Sequence, residues 1–176
     1  MSTRQMTLTA MLTALLCVVG PLTLPIGAVP LSLTTAVLML MALLLGAGKA
    51  TLCCGVYLLM GLVGLPMFSG FTGGLGILLG PTGGFLLGYL PMTALCGWLC
   101  ARTKNRLLQL CALLAGTALV YLTGASWYCW QTGSEASAAI AVCVLPFLPG
   151  DAIKIAAVLV GGNAVKARLK KTFWAE

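Results

Sequence analysis

Charged residues interrupt this chain rarely and in clusters. None lies between Arg4 and Lys49, none between Lys49 and Arg102, and none between Arg106 and Glu135. A helix needs about 20 apolar residues to cross a hydrocarbon core about 30 Å thick. The first two intervals are long enough for two crossings each if each holds a turn, and proline and glycine supply the turns. Pro21 and Pro25 end a first helix over about 7–20, and Pro30 opens a second over 30–46. Residues 46–49 (GAGK) form a short turn, and a third helix over 50–64 stops before Pro66.

The segment 67–84 is dense in glycine, with Pro81 among Gly70, Gly73, Gly74, Gly76, Gly80, Gly83 and Gly84. It reads as a structured loop whose backbone can turn tightly and approach a ligand closely. It leads into a fourth helix over 81–101, a polar turn over 102–106 and a fifth helix over 107–124. Beyond that, Trp127, Tyr128 and Trp130 predict an interfacial aromatic belt. Residues 136–145 predict a short helix lying at, or re-entering, the membrane surface. Pro146 and Pro149 precede a sixth helix over 151–168. The pattern predicts an all-α integral membrane protein of about six transmembrane helices, a single transmembrane domain over 1–176. The first apolar run begins near Met6 without a small-residue cleavage site after it, so it is read as the first span rather than a signal peptide.

Composition supports this. Sixty per cent of the 176 residues are apolar and 7% are charged, against about 25% charged in soluble domains. A soluble fold of this size could not hide so much apolar surface. With the N-terminus inside, nine of the ten basic residues fall on the cytoplasmic side and Lys154 alone faces the outer half, so the positive-inside rule places both termini in the cytoplasm. The Pro-rich loop, the glycine-rich loop and the 127–150 region then face outward. The net charge of +7 follows from this flanking pattern, and no basic face interleaved with aromatic residues points to nucleic acid.

The chemistry on offer is sparse. There is no histidine, and outside Glu176 the acids are Glu135 and Asp151, so neither a metal site nor an activated nucleophile is predicted. Most of the eight cysteines sit in apolar runs and read as small buried thiols. Only Cys129 and Cys143 fall in the outer region, where a disulfide between them is one possibility. The run around Gly46, Gly48 and Lys49 lacks the glycine spacing and the Ser/Thr of a phosphate-binding loop, so any ATP-driven step needs another subunit. Asp151 and Lys154 are three apart at the start of the sixth helix and share a face. An ionisable pair at membrane depth is a functional candidate by default. The structural alternative is that Asp151 caps the helix while Lys154 pairs with it or snorkels outward. Ala10 and Ala14 form a small-xxx-small pair on the first helix, suited to packing within this chain or to docking a partner. No polar stripe of a channel runs through the helices. A few polar groups beside an apolar pocket suit a ligand-binding membrane protein. A membrane enzyme or a scaffold is the competing class.

Several of these segments resemble the BioY family, the biotin-specific S components of energy-coupling-factor (ECF) transporters. They are residues 29–35 (VPLSLTT), 57–68 (YLLMGLVGLPMF), 73–85 (GGLGILLGPTGGF), 121–124 (YLTG) with Trp127, and 145–154 (LPFLPGDAIK), in family order and spanning nearly the whole chain. The resemblance implies a six-helix protein of the cell membrane that binds biotin towards its outer face and catalyses no reaction. It implies partners: a transmembrane coupling subunit and two ATPase subunits, docked through Ala10 and Ala14. It implies no cofactor. It identifies Asp151 and Lys154 with the family's polar pair at the substrate site. Asp151 can accept from the ureido N–H groups, and Lys154 can donate to the carbonyl or the carboxylate, as charge-assisted bonds. Tyr57, Phe68 and Phe85 are expected as apolar walls, and Thr82, Gly83 and Gly84 as backbone donors to an anionic oxygen. Thr34 stands where the family often has Gln. With no Asn in the glycine-rich loop, a polar contact there falls to backbone, Ser69 or Thr72. An S component for another vitamin, such as thiamine, is the alternative within this class.

Overall fold

In the computed structural model, which describes residues 3–24 and 31–173, the apolar stretches fold as helices. Helix α1 (Thr3–Val19) ends at Gly20, just before Pro21. Its threonines satisfy their hydroxyls internally: Thr9 and Thr13 donate to the carbonyls four residues back at 2.7 and 2.9 Å, which suits a helix in a medium that offers no partners. Two short strands follow, β1 (Thr23–Leu24) and β2 (Leu31–Ser32), paired antiparallel with Thr23 opposite Ser32. The predicted roles of Pro25 and Pro30 lie outside the described residues.

Helix α2 (Thr34–Leu45) and helix α3 (Ala47–Leu62) are separated by Gly46 alone. Its φ of 77° breaks the helix in one residue, a conformation in which a side chain would be strained. The predicted four-residue turn is therefore shorter, and Gly48 and Lys49 already belong to α3. Beyond α3, an isolated bridge joins Phe68 and Thr72, and a one-turn helix α4 (Leu75–Leu78) lies within the segment expected to be loop.

Helix α5 (Gly83–Arg102) packs along α6 (Arg106–Thr132) in the most extensive helix pair of the fold, and α2 and α3 pack on α5 as well. Small residues allow this proximity. A methyl group on Gly84 would collide with Trp127 and the Thr123 carbonyl, and one on Gly124 with the Phe85 ring. Helix α6 is longer than the predicted 107–124. It carries Trp127, Tyr128 and Trp130 as helical residues and stops at Gly133, whose φ is 67°. Helix α7 (Ala136–Cys143) stands where a short helix was expected. The last helix comprises α8 (Leu148–Ala157), a π-helical turn (Val158–Gly162) and α9 (Asn163–Phe173), and begins three residues before the expected start. Asn163 is held against α6: its Nδ2 donates to Gln109 Oε1 at 2.8 Å, and Gln109 Nε2 donates to the Thr103 carbonyl at 3.2 Å.

Among the described residues, three helices are long and apolar enough to cross a membrane: Gly83–Arg102, Arg106–Thr132 and Leu148–Arg168. Three shorter apolar helices, Gln5–Val19, Thr34–Leu45 and Ala47–Leu62, accompany them. At 1.5 Å per residue, the 12 residues of α2 span about 18 Å, less than a full hydrocarbon core. The buried core joins Leu38, Met39, Met41, Tyr57, Met92 and Leu113. Large apolar side chains also cover the outside, including Val18, Leu59, Leu122, Ile153 and Val160. That pattern is expected where lipid is the solvent. All eight cysteines are free thiols, Cys129 and Cys143 included.

Candidate functional site

Helix α8 is N-capped by Phe147 without a side-chain cap bond, and Pro149 lies in its first turn. Asp151 is thus one turn inside the helix, its backbone N–H bonded to the Phe147 carbonyl at 2.8 Å. Its carboxylate serves no cap. It faces sideways into the fold, and the three-residue spacing brings Lys154 onto the same face. Lys154 Nζ donates to Asp151 Oδ1 at 2.7 Å and to Thr35 Oγ1 on α2 at 3.3 Å. The second carboxylate oxygen, Oδ2, accepts the phenolic O–H of Tyr121 on α6. Asp151 is 6% exposed and Lys154 8%. The Lys154 side chain stays inside the fold and does not snorkel to the interface. Two unit charges at this depth are costly to desolvate and persist only when paired and hydrogen-bonded.

The pair forms one wall of a cavity of about 230 Å³ between α2, α5, α6 and α8. Ser32 of β2 and Thr35 in the first turn of α2 add hydroxyls to the same enclosure. Met39, Met92, Leu86 and Val120 supply apolar surface from α2, α5 and α6. Phe68, Ser69, Thr72 and Thr82 come from the glycine-rich segment, and Phe85, Tyr89 and Phe147 complete the aromatic lining. An enclosure that is mainly apolar and aromatic, with a few convergent polar groups, is the usual form of a small-molecule site. Before a ligand arrives, the acid and the ammonium cancel, so the wall offers directed donors and acceptors without net charge.

The glycine-rich segment is tied over this space by specific bonds. Phe68 N–H donates to the Thr72 carbonyl at 2.9 Å, with Gly70 and Phe71 both at positive φ between them. Trp127 Nε1 donates to the Gly80 carbonyl at 2.9 Å, anchoring the end of the segment to α6.

Of the residues singled out from sequence, the fold brings Asp151, Lys154, Phe68, Thr72, Thr82 and Phe85 to the cavity wall. Tyr57 lies behind it. Its ring meets Phe68 edge-on, with centroids 5.8 Å apart, and its O–H donates to the Met67 carbonyl at 2.8 Å. Tyr57 therefore supports a wall residue. Thr34 is buried away from the cavity, with Oγ1 at 3.4 Å from the Gly20 carbonyl. Its neighbour Thr35 faces the cavity instead, because one step along a helix turns the side chain by about 100°. Gly83 and Gly84 are also off the wall. A methyl group on Gly83 would collide with the Leu78 carbonyl, as one on Gly84 would with Trp127, so both serve close packing, and the Gly83 N–H is already bonded to the Gly80 carbonyl at 3.0 Å. Ala10 and Ala14 lie on the exposed face of α1 beside Met6, Met11 and Val18, while Thr9 and Thr13 are half-buried.

Ser32, Thr35, Tyr89, Tyr121 and Phe147 line the cavity without having been expected there. For Tyr121 a signal existed in the sequence. A phenol in an apolar helix needs a hydrogen-bond partner, and Asp151 was the one acid within a predicted span.

Comparison with known proteins gives a consistent answer. Residues 1–171 match the family described as the BioY family. The chain is 34% identical over 168 residues to the Biotin transporter BioY2 of Lactococcus lactis subsp. cremoris, covering 95% of this chain and 92% of that protein. It is 33% identical to the Biotin transporter BioY of Thermotoga maritima, covering 96% of each. The fold superposes on a crystal structure of the S-component for biotin from an ECF-type ABC transporter with a TM-score of 0.88, at 29% identity and 95% coverage of both chains.

Proposed function

Because the chain belongs to the BioY family, we propose that it captures biotin as the substrate-binding S component of an ECF-type transporter and delivers it across the cell membrane. The observation that carries this reading is the Lys154–Asp151 pair, bonded at 2.7 Å and set in the wall of an apolar, aromatic-lined cavity of about 230 Å³. Biotin carries a ureido group, an apolar sulfur-containing bicycle and a carboxylate tail. The apolar bicycle suits the Phe68, Phe85, Met39 and Met92 surfaces. A carbonyl or carboxylate oxygen of the ligand suits Lys154, which has three N–H donors and uses two of them inside the protein.

The chain performs no chemistry on its ligand. Movement of the site from one face to the other is driven by partner subunits, a transmembrane coupling protein and two ATPases, of which the coupling protein docks on the Ala10–Ala14 face of α1. The three long apolar helices cross the bilayer and the three shorter ones pack beside them within it, with both termini in the cytoplasm, as nine of ten basic residues favour, and the cavity opens towards the outer face beneath the glycine-rich segment.

The test is equilibrium binding of biotin to the purified, detergent-solubilised chain, with thiamine and riboflavin as controls. Saturable binding of biotin alone is expected. Folded protein that binds thiamine in place of biotin, or neither vitamin, would refute the assignment.

A further inference from the structure

We propose that Tyr121 is a positioning residue for the binding site. It acts through Asp151 to hold the Lys154 ammonium in the geometry that meets the ligand. The inference rests on the biotin reading above but draws on a separate observation, the way the two carboxylate oxygens of Asp151 are divided. Oδ1 takes the Lys154 ammonium at 2.7 Å, and Oδ2 takes the Tyr121 phenol. The donors come from different elements, Lys154 from α8 itself and Tyr121 from α6. Lys154 in turn reaches α2 through Thr35 at 3.3 Å. One chain of bonds, Tyr121 to Asp151 to Lys154 to Thr35, therefore links three helices along the cavity wall.

The consequence for recognition is geometric. A carboxylate held by one donor can rotate about its Cβ–Cγ bond, and a flexible four-carbon lysine would follow it. With both oxygens engaged, the carboxylate plane is fixed relative to α6 as well as α8. Lys154 then spends one N–H on Asp151, one on Thr35, and keeps the third for the cavity it lines. A site of this kind gains affinity because its donor is already aimed when the ligand arrives. Tyr121 sits 30 residues from Asp151 in the chain, so the role exists only in the folded protein.

The experiment uses the full chain in detergent and equilibrium binding of labelled biotin. Tyr121→Phe removes one oxygen and keeps the ring. Loss of one bond to a charged group is expected to weaken biotin binding by about tenfold, with the protein still monodisperse. In a Lys154→Met background, where no ammonium remains to be aimed, adding Tyr121→Phe should change affinity by less than about twofold. Wild-type affinity in Tyr121→Phe would overturn the positioning role. An undiminished penalty in the Lys154→Met background would also overturn it, and would mark Tyr121 as a direct ligand contact. A second readout needs no ligand and serves when the doubly substituted protein binds too weakly or does not fold. In protein labelled with ¹⁵N-lysine, the Lys154 ammonium resonance, assigned by its loss in Lys154→Met or Lys154→Arg, shifts in Tyr121→Phe, and an unmoved resonance refutes the proposal. Failure of wild-type protein to bind biotin would sink the proposed function alone, and the ammonium resonance would still decide the role of Tyr121.

Discussion

Replacing Lys154 with methionine tests whether the buried pair is both an energetic unit and part of the ligand site. The substitution keeps an unbranched side chain of similar length and removes the charge. It leaves the Asp151 carboxylate with Tyr121 as its remaining side-chain donor, in a position where both side chains of the pair are 9% exposed. Removing one partner of a buried pair costs about 3–5 kcal/mol, because the surviving charge is uncompensated. The bond from Tyr121 favours the lower end. For a chain of this length, about 3 kcal/mol corresponds to a fall in melting midpoint of roughly 6–12 °C. Adding Asp151→Asn removes the second charge, and replacing both members of a buried pair is close to neutral. The double variant should therefore regain most of the lost melting temperature. Its biotin affinity should stay weak, by about 10- to 100-fold, since the charge-assisted bond proposed from Lys154 to the ligand is gone. Thermal unfolding in detergent, followed by tryptophan fluorescence, reads the first quantity. Labelled biotin binding normalised to folded protein reads the second. A single variant that melts like wild type would refute the burial argument. A double variant that binds like wild type would remove the pair from the ligand site.

Gly84→Ala should reduce the yield of folded protein, because the new methyl meets the Trp127 side chain and the Thr123 carbonyl and overpacking costs about 1–3 kcal/mol. Gly76→Ala, with nothing within 4 Å and no positive φ, should be close to neutral, and fluorescence-detected gel filtration of the two compares them directly. Trp127→Phe removes the 2.9 Å bond to the Gly80 carbonyl. It should cost about 1 kcal/mol and raise hydrogen exchange of the 70–82 backbone, while unchanged exchange there would show that the bond does not anchor the segment. Ala10→Leu or Ala14→Leu, on the exposed face of α1, should abolish co-purification of the transmembrane coupling subunit and leave biotin affinity unchanged. Normal co-purification would move the docking face elsewhere.

The sequence by itself determined the features that depend on composition and on spacing along one helix. Long apolar runs broken by proline and glycine predict helices in lipid, since nothing else satisfies backbone groups there. A three-residue spacing is enough to put Asp151 and Lys154 on one helix face, and α8 bears both on the face that lines the cavity. The extra length of α6 was obscured because Trp127, Tyr128 and Trp130 also read as an interfacial belt, and a helix can carry such a belt. The α2–α3 turn shrank to Gly46 because one residue at positive φ redirects the chain as fully as four. Only the tertiary structure decided which residues meet across helices. It put Thr35 and not Thr34 on the cavity wall, Tyr57 behind Phe68, and Gly83 and Gly84 into packing contacts. It also brought Tyr121 to Asp151. Local rules fix a side chain's direction relative to its own helix axis, whereas the rotation of each helix about that axis is set by how all of them pack. Close packing at Gly84 and Gly124 sets that rotation for α5 and α6, and the chemistry of the site follows from it.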